Sequence, residues 1–246
     1  MAFHTRALRS VMYVNNWYEI PLYHLGLRRN LVVKMKNGLK FLYIPGAFNL
    51  EQFVEQPYRM LDVSGKIVVD VGAFNGDSSI CFSRRGAKWV YAFEPYPRLY
   101  SVAKENLRLN GVVNVDLFNE AVDSYDGYIK LDPEYKPKSS SSARDFGYGV
   151  IIRVKSLDAL VTQLGISGAV LKLDCEGCEY NLILNSQAKT LSAFQQIILE
   201  YHYRGHTQLT AKLTECGFTV QPLDIRGRPC SGQPERLGLL YAVKSV

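Results

Sequence analysis

No stretch of this 246-residue chain approaches the roughly 18 apolar residues of a membrane-spanning helix, and the N-terminus MAFHTRALRSVMYVNNWYEI lacks the apolar centre of a secretory signal. A cytoplasmic protein is the expectation. Cysteine is sparse and odd in number, five residues at 81, 175, 178, 216 and 230, which is not the framework of a small disulfide-rich domain, so reduced thiols are expected. The one Cys-x-x-Cys, Cys175 with Cys178, has no second pair and no His-x3-His partner to complete a zinc site. An internal repeat is also missing. Acids are nearly absent from the first 50 residues, where Glu19 stands against Arg6, Arg9, Arg28, Arg29, Lys34, Lys36 and Lys40, so this segment carries the whole formal net charge of +6. It reads equally as a solvated basic face and as a contact for something anionic: RNA, a membrane surface or a phosphorylated substrate.

What is present is enough to build a core, since 47% of the residues are hydrophobic and 21% charged. Residues 1–60 read as a basic extension and 61–246 as one catalytic-size domain. In the extension, LVVKMKNGLKFLYI sets Asn37-Gly38 between two strand-forming runs, a hairpin signal, and residues 49–57 could form a short helix. From residue 65 strands and helices alternate. KIVVDVG, WVYAFE, NVDLFNEAV, GVIIRV, AVLKLD and FQQIILEYHYR read as strands, with a further strand near 128–131. Helices are expected over 78–85, 97–110, 157–164 and 208–216, and FTVQPL with LGLLYAVKS reads as a closing antiparallel pair. This order predicts an α/β fold with a mostly parallel sheet covered by helices on both faces. The polar tract 132–149, with four consecutive serines, reads equally as a lid carrying Tyr135, Phe146 and Tyr148 and as a plain surface loop.

VVDVGAFNGDSS joins a buried strand to a helix through a glycine-rich turn, where Gly72 and Gly76 let the backbone approach a ligand and Asp70 could receive a cationic amine. Position 74 is Phe, so the turn is not the dinucleotide fingerprint G-x-G-x-x-G. Glu94 closes the second strand about 20 residues later, where an acid can accept hydrogen bonds from both hydroxyls of a ribose.

Those two stretches, followed by PRLYSVAKENLRLN, LKLDCEGCE and IILEYH, resemble the FkbM-type S-adenosylmethionine-dependent methyltransferases over residues 65–203. The resemblance implies a Rossmann-like class I methyltransferase fold of seven strands, the last antiparallel, with S-adenosylmethionine across the C-terminal ends of the first three. It implies that Asp70, Gly72, Asn75, Gly76 and Asp77, with Ala73, Phe74 and Ser78 of the same turn, surround the methionine part and ribose. Glu94 would hold the ribose hydroxyls with Pro95 next to it in the cofactor site, Asn119 and Glu120 would lie beside the adenine, and Asp174 would face the transferring methyl. In the family's D-x-E-G-x-E motif the x positions are small or apolar, which implies that Cys175 and Cys178 are buried hydrophobes.

The carboxylates Asp174, Glu176 and Glu179 crowd where an acceptor hydroxyl could give up its proton, and like charges at short range raise at least one pKa toward that of a useful base. His202 shares a strand face with Glu200 and is a second candidate for the base. Metal-free catalysis ranks above a divalent ion held by Asp174, Glu176 and Glu200. The leading expectation is O-methylation of a hydroxyl on a sugar, glycolipid or polyketide-like small molecule. The alternatives are an RNA methyltransferase using the basic segment, and a noncatalytic S-adenosylmethionine-binding module. Against RNA, the chain has Asp174-Cys-Glu-Gly where tRNA guanine methyltransferases carry an Asn-Pro-Pro type motif.

Overall fold

The continuous apolar runs become the central strands of one large sheet in a computed structural model, which describes residues 12–45, 48, 56–135, 143–202, 205–230 and 237–244. The sheet contains β3 (Ile67–Val71), β4 (Trp89–Phe93), β5 (Val115–Phe118), β9 (Ala169–Leu173), β10 (Phe194–His202), β11 (Phe218–Leu223) and β12 (Leu237–Lys244), in the order β11-β12-β10-β9-β3-β4-β5. Pairings from β5 through β10 are parallel, while β12 runs antiparallel to both of its neighbours. This is the seven-stranded arrangement expected from the sequence. Because β9 is buried at every position, its alternation is lost and only its apolar length marks it as a strand.

Two helices shape the central loops. α2 (Asp77–Arg84) begins at Gly76, whose φ of 84° lies in the left-handed region that a side chain disfavours. α3 (Pro97–Leu109) starts with proline at its first position, where the missing N–H costs nothing. α4 (Leu157–Gln163) is capped by Ser156, whose Oγ accepts from the Ala159 N–H at 3.1 Å. α5 (Cys178–Asn185), α6 (Ala188–Leu191) and α7 (Thr207–Glu215) join α4 in one core cluster against Val69, Leu171 and Ile197 of the sheet. The sequence reading had not assigned α5 or α6.

The strand expected over NVDLFNEAV is in fact two. β5 stops at Phe118, and β6 (Glu120–Asp123) restarts in a separate sheet of order β6-β8-β7 with β7 (Gly127–Leu131) and β8 (Val150–Ser156). Asn119 sits at the break and donates its amide to the carbonyls of Glu94 and Pro95, both at 2.9 Å, which turns the chain away from the large sheet.

In the extension, α1 (Glu19–His24) precedes the expected hairpin of β1 (Val32–Lys34) and β2 (Lys40–Leu42) around Asn37-Gly38. The hairpin is pinned to α3: the Leu42 N–H donates to Asn106 Oδ1 at 2.8 Å and the Lys40 N–H to Asn110 Oδ1 at 3.0 Å. Met35, Leu39 and Phe41 share a buried cluster with Ile80 of α2 and Leu107 of α3. The helix expected at 49–57 falls almost wholly outside the described residues, as does the middle of the 132–149 tract.

Candidate active site

A cavity of about 260 Å³ opens at the C-terminal ends of β3, β4 and β9, where open parallel sheets place their ligands. Its walls include Gly72, Phe74, Asp77, Ser78, Glu94, Pro95, Glu120, Asp174 and Glu176, all candidates from the sequence, together with Tyr96, Tyr125 and Lys172. Gly72 lets two loops meet there. A Cβ on it would lie 1.8 Å from the Asp174 carbonyl oxygen, and the Asp174 N–H donates to the Val71 carbonyl at 3.1 Å.

Asp70 does not line this cavity. Its carboxylate is fully buried, accepts from Ser78 Oγ at 2.7 Å and Ser79 Oγ at 2.6 Å, and pairs with Lys172 Nζ at 3.1 Å. The sequence reading offered Asp70 to a cationic amine; in the structure it lies behind the cavity wall, and Asp77 is the acid of this loop that faces the cavity. Burial is the main reason that the Asp77 carboxyl is pushed up to about 7, against the hydrogen bond from the Ser78 N–H. Ala73, Asn75 and Gly76 lie behind the wall and shape the turn: Asn75 Oδ1 accepts from the Asp77 N–H at 3.1 Å, and its carbonyl accepts from Asn106 Nδ2 at 2.8 Å.

Glu94 is buried, and its two oxygens accept from the N–H groups of Phe74 and Tyr96 at 2.9 Å each. Burial outweighs those bonds and raises its pKa to about 8. Each oxygen keeps a lone pair for a further donor. Asn119 clamps the adjoining turn and is not part of the wall, whereas Glu120 is, with Lys155 Nζ 3.1 Å from its carboxylate.

The acid-rich loop after β9 gathers around His202. Its Nε2 lies 3.2 Å from Glu176 and 3.4 Å from Glu200, and its Nδ1 lies 3.4 Å from Glu179. Burial works against a charged ring, yet the hydrogen bonds and charges of Glu179, Glu200 and Glu176 win and push its pKa up to about 11. The carboxylates on both ring nitrogens favour the charged ring, a donor rather than a base, and the structure sets His202 beside Glu176 rather than in the cavity wall. Glu179 is likewise reassigned: it is wholly buried and accepts from the N–H groups of Cys175 at 3.1 Å and Gly177 at 2.8 Å, closing its own loop. Glu176 faces the cavity, and burial first, then Asp174, Glu200 and Glu179, raises it to about 7 against the opposing charge of His202. Burial and Asp174 raise Glu200 in the same direction.

Two residues that the sequence reading did not single out complete the site. Tyr58 donates to Asp174 Oδ2 at 2.8 Å, reaching in from the segment before β3. Lys172 is buried and donates to the carbonyls of Val71 at 3.2 Å and Gly72 at 2.7 Å, so it fixes the start of the glycine turn as well as Asp70. A signal for Lys172 existed: a lysine inside AVLKL faces Asp70 across the β3–β9 register, and each charge interrupts an otherwise apolar strand.

Cys175 and Cys178 form a disulfide, with Cα atoms 5.5 Å apart, and both half-cystines line the cavity. The expectation of reduced thiols is corrected for this pair, because the tight turn through Glu176, at φ 59°, and Gly177, at φ 124°, brings the two side chains together. Among the described residues, Asp174, Glu200 and His202 bring potential metal-ligand atoms within 4.8 Å of one another, though His202 would have to give up a proton to serve.

The sequence model of the methyltransferase FkbM domain matches residues 70–220, more than half of the chain. A ribosomal protein L11 methyltransferase of Caldanaerobacter subterraneus subsp. tengcongensis is 43% identical over 54 residues, covering 22% of this chain and 18% of that protein. A putative protein N5-glutamine methyltransferase of Methanocaldococcus jannaschii is 32% identical over 91 residues, covering 35% of this chain and 46% of that one. The chain thus spans less than half the length of either curated relative. Among solved structures, a methyltransferase FkbM from Methylobacillus flagellatus KT aligns with a TM-score of 0.52 at 14% identity, covering 76% of this chain and 47% of that one. The putative methyltransferase SMU.776, complexed with SAH, aligns at 0.52 and 12% identity over 87% and 56% of the two chains. A tRNA m1G37 methyltransferase of M. jannaschii aligns at 0.51 and 16% identity over 89% and 58%. At these identities the structural matches establish the fold.

Proposed function

Since the chain belongs to the FkbM methyltransferase family, we propose that it methylates a hydroxyl of a small molecule, a sugar, glycolipid or polyketide-like acceptor, with Glu176 as the base. The cofactor that the family and its relatives imply is S-adenosylmethionine. The donor set of the cavity fits that molecule: Asp77 and Glu94 are buried acids with no ion-pair partner among the described residues, suited to an ammonium group and to a ribose diol. When bound, the cofactor supplies an electrophilic methyl group on a positively charged sulfur, so the protein has to align, exclude water and take a proton.

The observation that carries the reading is Glu176, a carboxyl facing the cavity with its pKa raised to about 7 beside Asp174. Near neutral pH a large share of such a group is ionised and is still basic enough to take the acceptor's proton. His202, held by Glu179 and Glu200, would keep the Glu176 side chain in place and stabilise its ionised form. Tyr58 would hold Asp174 toward the cavity through their hydrogen bond. An RNA acceptor is disfavoured by Asp174 and Glu176, which line the cavity and would face a phosphate backbone, with Glu179 and Glu200 close behind them.

Isothermal titration with S-adenosylhomocysteine, alongside an absorbance check for co-purified RNA, tests the reading. Micromolar binding by an RNA-free sample is expected and would justify a screen of hydroxylated sugars, lipids and polyketides. A folded sample that fails to bind would put the noncatalytic alternative first, and tightly held RNA would put the RNA methyltransferase first.

A further inference from the structure

The segment around α1 has two apolar sides and only one is packed. Inward, Val14 is buried with Leu31 and Val33, with Ile20 and Tyr23 against them, and Asn16 ties the segment to β1 by donating to the Val32 carbonyl at 2.9 Å and accepting from the Lys34 N–H at 2.8 Å. Tyr18 already has helical dihedrals, φ −64° and ψ −18°, so the spacing of Trp17, Tyr18, Pro21, Leu22 and Leu25 sets these side chains together on the other side. They point to solvent: Trp17 is 43% exposed, Tyr18 56%, Leu22 38% and Leu25 71%, followed by Leu27 at 73%. A helix that is apolar all round belongs in contact on both sides.

Around this face every exposed charged side chain of the described extension is basic. Arg28 and Arg29 follow Leu27 directly, and Lys34 and Lys36 emerge alongside, where their backbones bond to Asn15 and Tyr13. The lone acid, Glu19, is buried and accepts an ion pair from Arg28 at 3.0 Å. We propose that this face docks on an anionic membrane surface, with Trp17, Leu22, Leu25 and Leu27 entering the headgroup boundary and Arg28, Arg29, Lys34 and Lys36 meeting lipid phosphates. Apolar and aromatic side chains ringed by basic ones are what an interface-lying segment requires. Other occupants match only half of that pattern. RNA offers phosphates for the arginines but no apolar phase for three exposed leucines, and a two-fold copy of this chain would set the basic residues against their own counterparts.

Co-sedimentation of the full chain with vesicles tests this, using phosphatidylcholine alone against phosphatidylcholine mixed with phosphatidylglycerol. Binding is expected only with the anionic vesicles and should weaken with salt. Leu25→Ser and Leu27→Ser should each weaken it by about tenfold, and Arg29→Gln by roughly fivefold. Affinity for S-adenosylhomocysteine, read on the same samples, should stay unchanged and report that the variants are folded. Absence of binding to anionic vesicles, or equal binding by the serine variants, would overturn the proposal. So would a concentration-dependent dimer, or RNA binding, that the leucine substitutions abolish.

Discussion

Replacing Glu94 by glutamine should change stability with opposite sign on the two sides of neutral pH. Burial raises this carboxyl from 4.5 to about 8, even though both oxygens accept backbone N–H groups. With the folded pKa above the unfolded one, the folded chain keeps a proton that the unfolded chain releases, so Glu94 lowers stability as pH rises from its unfolded to its folded value. At ~1.4 kcal/mol per pH unit the penalty is under ~1 kcal/mol at about pH 5 and reaches ~4 kcal/mol at about pH 8. Glutamine carries no such penalty. It turns an NH2 toward one of the two backbone donors, however, which costs ~1–2 kcal/mol at every pH. The variant should therefore be slightly less stable than the parent at about pH 5 and more stable by ~2 kcal/mol at about pH 8. Urea unfolding at the two pH values, without cofactor, reads the difference. An equal deficit at both would mean that Glu94 is ionised in the folded chain, and the burial argument would fall. In the same variant, S-adenosylhomocysteine should bind ~10- to 100-fold more weakly if Glu94 holds the ribose.

Glu176→Gln should lower kcat by ~10²- to 10⁴-fold while leaving S-adenosylhomocysteine affinity nearly intact. In the parent, activity should rise through about pH 7 as Glu176 ionises; the same rise persisting in the variant would assign the base elsewhere. Alkylation of native protein without reductant should leave Cys175 and Cys178 unmodified, and their joint replacement by alanine should cost ~2 kcal/mol, the scale for so short a closed loop. Full alkylation of both under those conditions would show them to be free thiols.

Much of the large sheet was legible because its central strands are buried and nearly all apolar, as in IVVDV and AVLKL, each broken by a single charge. The break at Asn119 was not, because nothing local distinguishes VDLFNEAV from one longer strand; the turn is set by the carbonyls of Glu94 and Pro95, some 25 residues away in sequence. The site shows the same division. Spacing brings Gly72, Asp77, Glu94, Asp174 and Glu176 to one cavity, and those positions follow from strand ends. Direction and protonation do not follow from spacing. Asp70 and Asp77 lie seven residues apart on either side of one turn, yet the first faces Lys172 and the second the cavity. His202 differs from an ordinary histidine only through three carboxylates, of which Glu176 arrives from the loop after β9 and Glu179 from the first turn of α5.

The charge distribution links the two ends of the chain. Asp70 pairs with Lys172 and Glu120 with Lys155, and the cavity wall is further lined by Asp77, Glu94, Asp123, Asp145, Asp174 and Glu176 against Arg144, with Glu179, Glu200 and His202 packed beside Glu176. Four of these acids, Asp77, Glu94, Glu176 and Glu200, are raised, with burial as the leading cause. A cation entering the cavity favours their ionised forms, so binding a positively charged cofactor should release protons, whereas a polyanion would have to overcome them. The surplus of positive charge lies instead in the first 50 residues. An RNA long enough to touch both regions would gain at one and lose at the other. A neutral hydroxylated acceptor at the cavity and an anionic surface beneath α1 make no such conflict, and the two proposals are compatible for that reason.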